Sequence, residues 1–136
     1  MYNFDVEKPT SVADAVKALS RDEAQPLSGG QTLIPTLKAR LAMPSVLVSL
    51  SGIRDMQGVR LADDGRLCIG GGTIHRAVAE EAKPHYPGLA SLAARIGDPA
   101  VRNRGTIGGS VANNDPSACY PAGVLASGAT IVTNSR

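Results

Sequence analysis

Glycine is unevenly spread along this chain, and its clusters set the strongest limit on the fold. The 15 glycines in 136 residues gather chiefly at Ser28-Gly29-Gly30-Gln31-Thr32, Gly70-Gly71-Gly72 and Gly105-Thr106-Ile107-Gly108-Gly109-Ser110. Glycine weakens helix and strand interiors, so each cluster is expected at a tight turn or where backbone must come close to something else.

Between the clusters the pattern alternates between helix and strand. Ser11 precedes Val12, Ala15, Val16 and Leu19, an apolar stripe at helical spacing with Asp14 in the capping-box position. The first Gly-rich segment feeds a second helix over Thr32 to Leu41, with Pro35 in its first turn. Ser45 to Leu50 reads as a buried strand, so helix two sits in a β-α-β pattern. Val59 to Ala62 and Leu67 to Ile69 flank Asp63-Asp64-Gly65, a hairpin signal. Thr73 is expected to cap a helix reaching about Glu81, and Gly88 to Ile96 predicts another. Val101 to Pro121 reads as a loop carrying chemistry, followed by a short helix over Ala122 to Leu125 and a strand over Ala129 to Thr133. A mixed α/β or α+β domain follows.

Composition removes several function classes. The 14 Lys and Arg against 12 Asp and Glu, with four aromatics and no tryptophan, leave neither the charge nor the stacking platform of a nucleic-acid binder. No apolar run is long enough for a membrane span. Cys68 and Cys119 stand far apart without a secretory signal at Met1 to Thr10, so no disulfide scaffold and a cytoplasmic location are expected. His75 and His85 are the only histidines, and no metal-ligand spacing is present. Cys119 reads either as a reactive thiol or as a small residue in a packed corner, the second being commoner.

Two segments carry the candidate chemistry. Ser28 to Thr32 and Thr106 to Ser110 each offer consecutive backbone N–H groups and small hydroxyls, the equipment for holding phosphate oxygens, and two such loops suit a diphosphate. Arg95, Arg102 and Arg104 flank the second. The competing reading is that each glycine pair is only a turn, and for Gly70 to Gly72 the structural reading is preferred. Neither G-x-x-x-x-G-K-[ST] nor G-x-G-x-x-G opening a helix after a strand is present, which disfavours a P-loop NTPase and a Rossmann dehydrogenase.

Leu27-Ser28-Gly29-Gly30-Gln31-Thr32-Leu33-Ile34-Pro35 and Arg102-Asn103-Arg104-Gly105-Thr106-Ile107-Gly108-Gly109-Ser110-Val111-Ala112-Asn113-Asn114-Asp115-Pro116 together resemble the FAD-binding medium subunits of molybdenum hydroxylases, the carbon monoxide dehydrogenase and xanthine dehydrogenase family. The resemblance runs from Tyr2-Asn3-Phe4 to Gly128-Ala129-Thr130-Ile131-Val132. It implies a two-lobed FAD-binding domain of the vanillyl-alcohol-oxidase/PCMH type, with a small βαβ lobe over residues 1–55 and the first part of a larger α+β lobe over 56–136.

By position, Ser28, Gly29, Gly30, Gln31, Thr32, Leu33, Thr106, Ile107, Gly108, Gly109 and Ser110 would hold the pyrophosphate and adjoining flavin portions, with Asn113, Asn114 and Asp115 on the adenosine side. The resemblance implies an oxidoreductase subunit that relays electrons from [2Fe-2S] clusters through FAD to an external acceptor. An iron-sulfur small subunit and a molybdopterin large subunit, which would carry those clusters and the molybdenum cofactor, are the implied partners. No residue of this chain need act as acid or base on substrate. Cys119 departs from the pattern: four residues after Asp115 the family commonly carries an acid that contacts the nucleotide. The family's flavin subunits also continue past the strand expected near Thr133, so Arg136 falls where a truncation would, and weak flavin retention or dependence on another chain is expected. A stand-alone flavin reductase on the same scaffold and a non-catalytic assembly fragment are the alternatives.

Overall fold

Val46-Leu47-Val48 is buried over its whole length and forms the centre of a parallel sheet in the computed structural model, which describes residues 1–135. The strands are β1 (Asp5–Glu7), β2 (Ala24–Leu27) and β3 (Val46–Ser49), in the order β1-β3-β2. Leu47 stands opposite Val6 on one side and Gln25 on the other. A parallel strand covered on both faces reads as an unbroken apolar run, which is the pattern here. Pro26 is tolerated because β2 lies at an edge, where a missing N–H breaks no ladder on its outer side. The β-α-β pattern around helix two is therefore found, and β1 adds a strand that the apolar pattern does not mark.

The crossovers are α1 (Val12–Leu19) and α2 (Leu33–Lys38). Ser11 caps α1: its Oγ accepts from Asp14 N at 3.1 Å and donates to Asp14 Oδ2 at 2.7 Å. The buried stripe of α1 differs from the expected one. Ala15 and Ala18 face the core with Val46, Val48 and Ile53, while Val12 and Val16 are exposed. Small side chains on that face let the helix lie close to the sheet, which a valine stripe would hold away. Helix α2 stops short of Leu41, and Arg40 turns the chain away with φ +58°.

The second half begins with β4 (Val59–Leu61) and β5 (Leu67–Ile69), an antiparallel hairpin with Arg60 opposite Cys68. Five helices follow: α3 (His75–Glu81), α4 (Pro87–Ala94), α5 (Pro99–Arg102), α6 (Ile107–Asn113) and α7 (Cys119–Ala126). Val78, Ala82, Ala90, Ala93 and Tyr120 form a second core, with Val59, Leu67 and Ile69 packed against it.

Four expectations need correction here. Val101 to Pro121 is largely helical, because Asp98 Oδ1 accepts from Val101 N at 2.9 Å to start α5 and Thr106 Oγ1 accepts from Gly109 N at 3.1 Å to start α6. Thr73 does not cap α3; its hydroxyl ties down the chain before β4 instead, donating to Gly58 O at 3.1 Å and accepting from Gly58 N at 2.9 Å. Ala129 to Thr133 is not in a strand, and Ile131 and Val132 are exposed rather than buried against a sheet. Cys119 is exposed at the start of α7 rather than packed in a corner.

Candidate functional site

The two Gly-rich segments meet. Ser28 follows β2 and Thr106 precedes α6, 78 positions apart in sequence, and their hydroxyl oxygens are 2.8 Å apart. Beside them, Gly29 abuts the carbonyl oxygen of Arg104 and the Cα of Gly105. The fold therefore joins the end of the parallel sheet to the first turn of α6 through small residues.

The first segment has what an anion requires. The amides of Gly29, Gly30, Gln31, Thr32 and Leu33 donate to no group among the described residues, while the carbonyl oxygens of Gly29, Gly30 and Thr32 accept from Gln31 Nε2, Ile34 N and Thr36 N. Consecutive unpaired N–H groups in a tight turn form a concave donor surface for phosphate oxygens. Gly30 makes the turn with φ +71°. No Asp or Glu lies within 28–33 or 103–110, so the local charge does not oppose an anion.

The second segment departs from its expectation. The amides of Ile107 and Gly108 donate to Thr73 O and Gly71 O at 3.0 and 2.9 Å, and Gly109 and Ser110 donate to Thr106 Oγ1 and Thr106 O. These N–H groups are used in stitching α6 to the Gly70 to Thr73 turn. A Cβ on Gly108 would lie 2.5 Å from Gly71 O, so this triple-glycine turn packs directly against the start of α6. What the second segment leaves for a ligand is the exposed face of Gly109 and the hydroxyl of Ser110.

Asn113, Asn114 and Asp115 lie at the far end of α6, about 10 Å along the helix at 1.5 Å per residue. All three are exposed. Asn114 ends α6 in the left-handed conformation at φ +48°, and Asp115 Oδ1 accepts from Ser117 N at 2.8 Å. Their shape roles are thus filled locally, and their outer faces are open.

A groove of about 560 Å³ runs past the junction. It takes Ser28, Gly29 and Thr106 from the sequence-predicted set and adds Gln57, Thr73 and Arg104. Arg104 was marked by its place beside Gly105; Gln57, whose Nε2 donates to Ser51 O at 2.9 Å, carries no sequence signal. Arg102 turns away, donating to Gly97 O at 2.8 Å and Ile96 O at 3.2 Å. Beneath the junction, burial holds the His75 imidazole below its ordinary pKa and, together with neighbouring Cys119, raises the Tyr120 phenol. Among the described residues no cluster of His, Cys, Asp and Glu is placed to hold a metal, and no helix is long and apolar enough to cross a membrane.

Residues 2–136 match the protein family described as "FAD binding domain in molybdopterin dehydrogenase". The carbon monoxide dehydrogenase medium chain of Afipia carboxidovorans is 40% identical over 125 residues, covering 88% of this chain and 43% of that protein. Among solved structures, carbon monoxide dehydrogenase from Hydrogenophaga pseudoflava superposes with a TM-score of 0.88 at 36% identity, covering 92% of this chain and 45% of that one. Quinoline 2-oxidoreductase from Pseudomonas putida 86 superposes at 0.84 with 32% identity, over 88% of this chain and 43% of its own. The chain thus spans less than half the length of these relatives.

Proposed function

Because the chain belongs to the family of FAD-binding domains of molybdopterin dehydrogenases, we propose that it is the flavin-holding part of an electron-transfer subunit in a molybdenum-containing hydroxylase or dehydrogenase. The observation that carries this reading is the run of unpaired amides from Gly29 to Leu33, held against Thr106 by the Ser28 hydroxyl. That concave donor surface fits a pyrophosphate, and the glycines leave room for it to approach.

In this reading the amides of Gly29 to Leu33 bind the FAD pyrophosphate. The Gly109 face and Ser110 hydroxyl lie along the adjoining portion, with Ile107 and Gly108 fixing the start of α6. Asn113, Asn114 and Asp115 line the adenosine side. Two lobes, 1–55 and 56–136, are supported by the two separate cores around Val48 and Tyr120. When bound, FAD would supply two-electron and one-electron chemistry between [2Fe-2S] clusters and an external acceptor. The chain's own residues bind and orient it. Partners of this reading are an iron-sulfur small subunit and a molybdopterin large subunit.

Calorimetric titration of the chain with FAD, FMN and riboflavin tests the cradle. FAD is expected to bind, with riboflavin at least about tenfold weaker, since it lacks the phosphates that the charge-assisted amide bonds hold. Equal affinity for riboflavin, or no binding of FAD even with the partner subunits present, overturns the assignment. Co-purification with iron-sulfur and molybdopterin subunits tests the assembly.

A further inference from the structure

Two polar atoms in the second core have no hydrogen-bond partner among the described residues: Nδ1 of His75 and the hydroxyl of Tyr120. Their rings lie 5.3 Å apart between centroids, His75 being 4% exposed and Tyr120 fully buried. Buried polar atoms nearly always have partners, because an unpaired one keeps its desolvation penalty. These two are complementary. A phenol O–H donates, and an imidazole nitrogen without hydrogen accepts.

The imidazole also lies directly under the junction. His75 N donates to Gly105 O at 2.9 Å, and a Cβ on Gly105 would lie 2.5 Å from His75 Nε2, so the Gly105 backbone rests on the ring edge. The next residue, Thr106, makes the hydroxyl contact with Ser28. Resting on the flavin reading of that junction, we propose that the Tyr120 hydroxyl donates to Nδ1 of neutral His75 across one buried water. This pair positions the Arg104 to Thr106 turn against Ser28.

The surroundings favour a neutral ring. Helix α4 carries no charged residue and places Ala90 and Ala93 in this core. On α5, Arg102 is spent on the carbonyls of Ile96 and Gly97, and Arg60 of β4 and Arg104 of the turn are exposed. On α3 itself, Arg76 pairs with Glu80 at the surface, and Glu81 is exposed. Helix α7 brings Tyr120 and the exposed Cys119. Burial lowers the imidazole's proton affinity accordingly. Neutral His75 with Nδ1 accepting carries its hydrogen on Nε2.

The test is nitrogen NMR of the ligand-free 136-residue chain across pH. His75 is expected as the tautomer bare at Nδ1, titrating below the ordinary value of about 6.5. The amide signals of Gly105 and Thr106 are expected to move with the same midpoint. Tyr120→Phe keeps the ring and removes the donor, and should raise that midpoint by roughly half a pH unit or more. An unchanged midpoint in Tyr120→Phe, a hydrogen on Nδ1, or Gly105 and Thr106 signals indifferent to His75 overturns the proposal. If Tyr120→Phe fails to fold, the tautomer and the coupled amide shifts of the unaltered chain decide. FAD affinity should fall several-fold as pH drops through the His75 midpoint, and a flat affinity overturns the positioning role. Failure to bind FAD at any pH, with or without the partner subunits, overturns the flavin reading and leaves the NMR result to decide the pair.

Discussion

A Cβ placed on Gly29 would run into the carbonyl oxygen of Arg104. The end of the parallel sheet and the start of α6 can therefore touch only where residue 29 has no side chain, and this contact places the free amides of 29–33 beside Thr106.

Gly29→Ala should accordingly force the two segments apart. We expect a loss of about 1–3 kcal/mol in stability, the usual range for overpacking against a backbone that cannot yield, together with loss of FAD binding. Gly71→Ala is the control, since its nearest neighbour would sit 3.7 Å away in ordinary contact. Denaturant unfolding of both variants, with FAD titration, distinguishes a local clash from a general intolerance of alanine.

The hydroxyl link can be measured by a double-mutant cycle of Ser28→Ala and Thr106→Ala. A neutral hydrogen bond of this kind should give a coupling of about 0.5–1.5 kcal/mol. Thr106→Ala alone should cost more than Ser28→Ala, because Thr106 Oγ1 also caps α6 by accepting from Gly109 N. Equal single costs would mean that the cap contributes nothing.

Acid should destabilise the fold through His75. Its pKa is lowered in the folded chain by burial, so the unfolded chain binds the proton first. Its contribution to stability is full above the unfolded value of about 6.5 and is lost as pH falls from there through the depressed folded value. Urea midpoints between pH 8 and pH 5 should show this decline, and His75→Phe should flatten it over that window.

Ser11→Ala removes the α1 cap without touching either core. A loss of about 1 kcal/mol is expected by thermal or urea unfolding, with FAD binding unchanged, since Ser11 lies outside the junction. A simultaneous loss of FAD affinity would show that α1 and the cradle are mechanically linked.

Much of this was legible in the order of residues. The cap at Ser11, the Asp63-Asp64-Gly65 hairpin and the buried run at Val46 to Val48 each declare themselves through interactions within a few positions, and the structure places them as expected. Such features depend on a side chain and the backbone beside it, so sequence alone determines them. Other features depend on distant partners. Which face of α1 is buried was set by how close the sheet approaches, and Thr73 was drawn from a cap to Gly58 by the geometry of the chain before β4. The amides of the second Gly-rich segment look as free in sequence as those of the first. Only the packing of α6 on Gly71 and Thr73 decides that they are spent, while those of Gly29 to Leu33 stay open, because a hydrogen bond between residues far apart in the chain exists only once tertiary structure has brought them together.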